Sequence, residues 1–404
     1  MNPISPHYLR RLLKEKRMHP RLRQLATELK TGRPDAEERF WRAVEAGGAP
    51  LVRRMAVDTC QVTFVWRHDG AARSVAVIQD WGADGLREHL MARLPGTGVW
   101  HLERPYPSDA ITSYQFSPSA DPDPQAAGPY QLDPLNPHRS LAFLSETGND
   151  FVFSALRLPD APAPVLPVEA ALRGRIELHH PTPGRRVWSY TPALPSPELH
   201  PVLVVFDGRQ YKDLLHLPRL LDALIASADI PPVMALFVDT PQRDVDLPCN
   251  PEFAAWVANE LLPWAWATLP VSDRAADTIA LGCSYGGLAA AYLALRYPGR
   301  VGGVISQTGW FRWAPAEDAA AEWLPRQYAA SARLPVNFHL SAGVLEIARM
   351  RDGGVTQREA NRRFHDLLRE KGYRAHYAEY HGGHDYSSLG EPLREALILM
   401  AGRG

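Results

Sequence analysis

Cysteine is scarce in this sequence, with three residues in 404: Cys60, Cys249 and Cys283. This odd, widely spaced set provides neither a disulfide framework nor a C-x-x-C metal pair, which favours a reducing cytoplasm. No apolar run approaches the roughly 18 residues of a membrane span. The first thirty residues also lack the apolar stretch of about 7–15 residues that a secretory signal needs. We therefore expect a soluble cytoplasmic protein that is not bound to a membrane.

Net charge is also small, because 44 basic and 45 acidic residues leave a formal charge of −1. A protein without an overall positive field is not drawn to nucleic acid or to anionic lipid, so neither is an expected partner. Hydrophobic residues make up 45% and charged residues 22%, which is typical of a globular protein and excludes extended disorder. Proline is abundant, at 37 residues, and indicates many loops and extended segments.

The first half of the chain changes its pattern near residue 35. Residues 1–35 are rich in Arg and are expected to form a mobile or surface-packed tail. A helix is predicted from Ala36, because Asp35 stands at its N-cap and Glu residues occupy its first turn. Residues 36–160 contain short alternating apolar and polar segments, with a hairpin turn expected at residues 68–71. This part predicts an all-β, immunoglobulin-like sandwich domain.

The second half has a different pattern, separated from the first by DAPAPVLPV at residues 160–168, which is typical of a semi-rigid linker. Beyond it, continuous apolar runs such as VLVVF and VMALFV alternate with helical segments. Strands that are apolar at every position are buried on both faces, as in a parallel sheet covered by helices. Residues 161–404 are therefore predicted to form an α/β domain with a parallel-rich sheet flanked by helices.

A nucleophile elbow is indicated by GCSYGG at residues 282–287, which fits G-x-S-x-G. The pentapeptide is weakly specific by itself, but an apolar strand precedes it and a small-residue helix follows, as the motif requires. Its glycines let the strand and the helix pass closely, so that Ser284 stands above the sheet edge. The Tyr285 N–H, at the start of the helix, would face a developing oxyanion. These features predict an α/β-hydrolase with Ser284 as its nucleophile.

The partners of Ser284 are sought by chain order, since an α/β-hydrolase presents nucleophile, acid and histidine in that sequence. His384 lies in YHGGHDY, where glycines free the backbone after a strand, and is the candidate general base. Glu346 directly follows the predicted strand VNFHLSAG and is the candidate acid, with Asp352 as the alternative. A metal site at His381 and His384 is disfavoured because no carboxylate ligands accompany them. We expect neither a metal nor an organic cofactor.

A second oxyanion donor is expected from the loop after VVF, an earlier strand. Gly208 lets the backbone turn its N–H groups toward the pocket, which makes the Arg209 amide the candidate. The Arg209 guanidinium would then be available to bind an anionic substrate.

Together these segments resemble the enterochelin (enterobactin) esterase family. The matching segments, from about residue 40 onward, are VTFVWR, DPLNP, VVFDG, LFVDT followed by Arg243, DLPCN, ELLPW, SDRAADTIALGCSYGGLAA, SQTG and GGHD. The resemblance implies a β-sandwich ahead of an α/β-hydrolase domain, and hydrolysis of the serine-ester bonds of a cyclic tris-catecholate trilactone in iron acquisition. It places Ser284, His384 and Glu346 as nucleophile, base and acid. Because a ferric tris-catecholate carries three negative charges, Arg209 and Arg243 are candidate substrate-binding residues.

Three positions depart from the family pattern. Tyr211, a further candidate substrate contact, stands in place of a Trp, and Leu389 and Gly390 replace an aromatic-basic pair after GGHD. The loop after Asp239 also lacks an expected His. These changes leave open a different siderophore, polyester or amide as substrate. Acyl transfer and non-catalytic siderophore binding are alternative functions, and the sequence does not determine the oligomeric state.

Overall fold

The structure, a computed structural model, describes residues 18–68, 70–79, 89–121, 123, 126–144, 150–165, 171–194, 199–318, 320–349 and 354–402. The chain divides into two compact units. One comprises residues 1–140 and 152–162, and the other comprises residues 141–151 and 163–404. The boundary after residue 162 falls in the Pro- and Ala-rich segment. Residues 141–151 also belong to the second unit, which our sequence analysis does not predict.

Within the described residues, the first unit contains two helices and two four-stranded sheets, except that residues 141–143 and Phe151, which lie in two of the strands, belong to the second unit. The helices are α1 (Pro20–Lys30) and α2 (Ala36–Gly47). One sheet has the order β1 (Leu51–Arg54), β2 (Thr59–Arg67), β5 (Val99–Pro107) and β4 (Ala92–Arg93), and the other β3 (Ser74–Ile78), β6 (Ile111–Ser119), β8 (Phe151–Arg157) and β7 (Arg139–Phe143). Phe64 of β2 packs against Tyr114 of β6 at 4.8 Å between ring centroids, and Trp66 against Phe116 at 5.0 Å. The sheets therefore pack face to face, which confirms the predicted sandwich.

One local prediction for this unit needs correction. The hairpin turn at residues 68–71 is wrong, because β2 pairs with β1 and β5 whereas β3 pairs with β6 in the other sheet. Alternation identifies a strand but not its partner, and consecutive strands of a sandwich can belong to different sheets. Residues 1–17 of the predicted tail lie outside the described residues. The rest of it contains α1, whose Leu22 and Leu25 are buried in one apolar cluster with Trp41 of α2, so this part is packed on the unit. Helix α2 begins as predicted after Asp35.

The second unit is built on one eight-stranded sheet. Its order is β16 (Ala375–Tyr380), β15 (Asn337–Gly343), β14 (Gly303–Gln307), β13 (Thr278–Cys283), β11 (Val202–Val205), β12 (Met234–Val238), β10 (Val187–Thr191) and β9 (Arg175–His179). The six strands from β11 to β16 are parallel, and β10 is antiparallel to both β12 and β9. The α-helices are α3 (Gly208–Asp213), α4 (Leu217–Ala226), α5 (Arg243–Asp246), α6 (Pro251–Trp256), α7 (Leu262–Thr268), α8 (Tyr285–Arg296), α9 (Trp323–Ala330), α10 (Gln357–Glu370) and α11 (Gly390–Ala401).

Helices cover both faces of this sheet. Alternate residues of β11 point to opposite faces: Val202 and Val204 join an apolar cluster that includes residues of α6 to α10, and Leu203 and Val205 join another that includes residues of α4 and α11. All residues of β11 to β14 are buried. The continuous apolar strands in the sequence thus correspond to a parallel sheet buried on both faces, which confirms the α/β-hydrolase fold class.

The parallel strands also locate the site. The loops after β11 to β16 all leave from the carboxyl edge of the sheet, where open α/β sheets bind ligands. Ser284, Thr308, Glu346 and His384 each follow one of four neighbouring strands at this edge. No helix among the described residues is long and apolar enough to span a bilayer.

Candidate active site

Ser284 occupies a strained turn between β13 and α8. Its backbone lies at φ 56° and ψ −120°, a region in which a residue with a side chain is rarely found. The turn depends on close backbone approach, because a Cβ on Gly282 would lie 2.3 Å from the carbonyl carbon of Gly286. The Ser284 N–H donates to the Gln307 carbonyl at 3.0 Å and anchors the turn to β14. The Ser284 side chain is therefore presented at the carboxyl edge and is partly exposed.

Cys283, which precedes this serine, is not a competing nucleophile. Its thiol is free and buried. Burial raises the pKa of the Cys283 thiol well above its usual value, with nearby carboxylates such as Asp207 adding to the effect. The neutral thiol is a poor nucleophile, which leaves the Ser284 hydroxyl as the candidate nucleophile of the turn.

Glu346 and His384 form a direct pair beside the elbow. His384 Nδ1 lies 2.9 Å from Glu346 Oε2, and Glu346 is fully buried. The other carboxylate oxygen of Glu346 accepts the Gly343 N–H at 2.6 Å, so the end of β15 holds the carboxylate in place. Burial raises the pKa of the Tyr380 phenol well above its usual value, so its hydroxyl stays protonated beside the pair and donates to the Gly383 carbonyl at 3.2 Å. The structure thus brings together the predicted acid and base across 38 residues.

Trp310 is a neighbour of both Ser284 and His384. Its backbone N–H donates to the Ser284 carbonyl at 3.0 Å, and its ring packs edge-on against the His384 ring at 5.6 Å between centroids. The hydroxyl of Thr308, two residues earlier, contacts both His384 and Glu346. The loop after β14 therefore connects the Ser284 turn to Glu346 and His384.

The two candidate oxyanion donors lie in the first turns of two helices that leave adjacent strands. Tyr285 is the first residue of α8 and Arg209 the second residue of α3, positions at which helix N–H groups have no acceptor within the helix. A Cβ on Gly208 would lie 2.4 Å from the backbone of Phe237, so only glycine fits there. A Cβ on Gly286 would lie 3.2 Å from the Asp207 carboxylate, which places the two turns side by side.

A cavity of about 270 Å³ lies beside Asp207, whose carboxylate faces Gly286 of the elbow. It is lined by the aromatic rings of Phe143 and Phe151, the cations Arg209 and Arg243, the carboxylates Asp207, Asp239 and Asp244, and Leu144, Gln210, Thr240 and Pro241. The Arg243 guanidinium lies over the Tyr285 ring at 5.5 Å and over the Phe143 ring at 5.7 Å. Both predicted arginines therefore lie in one aromatic-walled pocket next to the residue that follows Ser284.

One cation of this pocket, Arg243, is held by a buried carboxylate. Arg243 pairs with Asp207 at 2.9 Å, and Arg186 pairs with Asp239. Burial by itself would lower the pKa of the Arg243 guanidinium, but the attraction of Asp207 and its hydrogen bonds outweigh this and raise the pKa above its usual range. Arg243 is accordingly charged and oriented before any ligand binds.

Other predicted positions lie elsewhere. Tyr211 is fully buried and donates to Gln307 Oε1 at 2.9 Å, which differs from the substrate contact that we expected for it. Leu389 is buried in the apolar cluster of α4 and α11, and Gly390 begins α11. These three departures from the family pattern thus affect the packing of the residues that support the site. The alternative acid, Asp352, lies outside the described residues.

Our sequence analysis missed Asp207 and Thr308 as parts of the site. In the sequence, Asp207 is only the first residue of a D-G turn, and Thr308 is only one residue of the SQTG segment. Both have positive φ angles, 50° and 46°, and both carry side chains that bond to residues at least 30 positions away. A local pattern contains no signal for such pairing.

The sheet order, the elbow serine and the histidine-carboxylate pair place this protein in the α/β-hydrolase class. Residues 185–400 match the family described as "Putative esterase", and residues 61–165 match "Enterochelin esterase, N-terminal". The chain is 30% identical over 409 aligned residues to the iron(III) enterobactin esterase of Dickeya dadantii, covering 86% of this chain and 89% of that protein. The chain belongs to the enterobactin esterase family.

Solved structures agree with this assignment. The ferric enterobactin esterase of Salmonella typhimurium aligns with a TM-score of 0.69 and 26% identity, covering 90% of this chain and 98% of that one. The enterobactin esterase of Shigella flexneri, crystallised in the presence of enterobactin, aligns with a TM-score of 0.66 and 26% identity, covering 90% and 97%. The two-domain architecture is therefore shared along nearly the whole length.

Proposed function

We propose that this protein is a serine esterase that hydrolyses the ester bonds of a ferric catecholate trilactone siderophore such as enterobactin and so releases its iron. The observation that carries the proposal is the 2.9 Å contact between His384 and Glu346 beside the strained Ser284 turn, in a chain of the enterobactin esterase family. The scarcity and free state of the three cysteines support action in the cytoplasm.

In the first half-reaction, Ser284 Oγ attacks the carbonyl carbon of the substrate ester while its proton passes to His384 Nε2. Glu346 accepts the Nδ1–H and stabilises the imidazolium that forms. The N–H groups of Tyr285 and Arg209 bind the negative oxygen of the tetrahedral intermediate. The intermediate then collapses, the ester C–O bond breaks, and the leaving serine hydroxyl of the trilactone takes the proton from His384.

In the second half-reaction, a water molecule attacks the acyl-Ser284 ester. His384 takes a proton from this water and returns it to Ser284 Oγ as the acyl group leaves as a carboxylic acid. The protein supplies orientation and charge stabilisation, and the iron belongs to the substrate.

Substrate binding is assigned to the cavity beside Tyr285. A planar guanidinium binds anionic oxygens in a fixed geometry, and Arg243 is already held in one orientation by Asp207. The adjoining rings of Phe143 and Phe151 provide apolar surface for catechol rings.

Mass spectrometry of the products tests reaction and substrate together. The protein is incubated with ferric and iron-free enterobactin and with other catecholate siderophores, and Ser284→Ala is treated in parallel. We expect linear products one water heavier than the trilactone and then its monomeric units, with the wild type only. Intact siderophores after incubation with the wild type would contradict the proposal.

A further inference from the structure

We propose that Thr308 is a positioning residue whose hydroxyl sets the proton position and orientation of the His384 imidazole. This inference rests on the proposed function, since it assigns a role within the same hydrolytic site. Thr308 is not the nucleophile, the acid, the base or an oxyanion donor of the proposed mechanism, so that mechanism assigns it no role.

The contacts of the Thr308 hydroxyl form a closed triangle. The hydroxyl donates to Glu346 Oε2, and its oxygen lies 3.0 Å from His384 Nδ1. His384 Nδ1 in turn lies 2.9 Å from the same Oε2 atom. Glu346 has no exposed surface, so these bonds are shielded from solvent.

The triangle determines which nitrogen of His384 carries the proton. An ionised carboxylate only accepts, and the single proton of the Thr308 hydroxyl is already given to Glu346. Both neighbours of Nδ1 are thus acceptors, so Nδ1 carries the hydrogen and Nε2 is left as the unprotonated base. Because Nδ1 contacts the Thr308 hydroxyl oxygen as well as Glu346 Oε2, rotation of the His384 ring about its hydrogen bond to Glu346 is also limited.

The backbone at Thr308 is held in an uncommon conformation. Its φ of 46° is unfavourable for a β-branched residue. The Thr308 N–H donates to the Ser341 carbonyl at 2.7 Å, and the buried Gln357 side chain donates to the Thr308 carbonyl at 2.8 Å. Asn361, also buried, donates to the Gly309 carbonyl at 2.9 Å. Bonds from both β15 and α10 thus hold a strained turn whose side chain reaches the acid and the base.

The experiment compares Thr308→Val, which removes the hydroxyl and keeps the shape, with Thr308→Ser, which keeps the hydroxyl. Turnover of enterobactin gives kcat and KM, and proton NMR follows the downfield resonance of the His384 Nδ1–H, identified by its loss in His384→Ala. Thr278→Val is the matched control, because Thr278 is a buried threonine at the other end of β13, about 20 Å along the strand from Ser284.

We expect Thr308→Val to lower kcat by about 10- to 100-fold, as for loss of a hydrogen bond to a charged group, with KM changed by less than about twofold. Its downfield resonance should shift or disappear. Thr308→Ser should restore both readouts, and Thr278→Val should leave both unchanged.

Wild-type kinetics in folded Thr308→Val, or a Ser variant as slow as the Val variant, would overturn the positioning role. If Thr308→Val does not fold, the Ser variant decides: an unchanged kcat and resonance support the role, and a loss of either overturns it. Failure of the proposed function is a separate result, because wild type would then be no faster than His384→Ala.

Discussion

The Arg243 guanidinium makes two hydrogen bonds to the Asp207 carboxylate, with Nε to Oδ1 at 3.1 Å and Nη2 to Oδ2 at 2.9 Å. Asp207 follows β11 in a left-handed conformation and also accepts the Thr240 hydroxyl at 3.0 Å. Its carboxylate lies against Gly286 in the helix that begins at the elbow. The pair therefore links the wall of the cavity to the turn that presents Ser284.

Removing one partner of this pair should destabilise the fold. Asp207→Ala leaves the mostly buried Arg243 cation without its carboxylate, and we expect a loss of about 3 kcal/mol in unfolding free energy. Glu177→Ala, which breaks the exposed pair with Arg175, should cost less than about 1 kcal/mol. Urea unfolding at pH 7 measures both. Equal losses in the two variants would show that the Asp207 pair contributes no more than a surface contact.

Ser284→Ala removes the proposed nucleophile and little else. We expect turnover to fall by about three to six orders of magnitude, while siderophore binding is retained because the cavity is unchanged. Fluorophosphonate labelling gives an independent measurement: the wild type should be labelled at Ser284 and the variant should not, since Cys283 is buried as a neutral thiol. Labelling of the alanine variant would point to another nucleophile.

Glu346→Gln and Asp352→Asn separate the two candidate acids. The Gln side chain cannot stabilise the imidazolium as a carboxylate does, so we expect kcat to fall by about 100-fold or more. Asp352→Asn should change kcat by less than about threefold, because Glu346 already occupies the position beside His384 Nδ1. The opposite ranking would assign the acid to Asp352.

The lowered pKa of His339 should reduce the unfolding free energy of the protein as the pH falls. Burial, with a contribution from His376 opposite it on β16, lowers the pKa of His339 to about 4. Between about pH 6.5 and pH 4 the unfolded chain binds a proton here that the folded protein does not, so stability falls as pH falls. From pH 7 to pH 5 this amounts to about 2 kcal/mol. His339→Leu should lose correspondingly less in urea unfolding at the two pH values, and an equal loss in both proteins would contradict the assignment.

Much of the fold was predictable because its signals are local. The N-cap at Asp35 and the apolar strands around the elbow describe the environment of a few consecutive residues. Each predicts an element without reference to the rest of the chain. Strand pairing was not predictable in this way, because β2 and β3 are consecutive in sequence but pair in different sheets.

The sequence alone determined the order of Ser284, Glu346 and His384 and the kind of turn that carries the serine, because glycine requirements and strand-helix patterns act between neighbours along the chain. Only the tertiary structure decided that Tyr211 is buried, that Asp207 holds Arg243, and that Thr308 contacts both Glu346 and His384. Those relationships arise when parallel strands distant in sequence end at one edge of a sheet. Burial and pairing there depend on which segments meet, and no periodicity within a single segment specifies that.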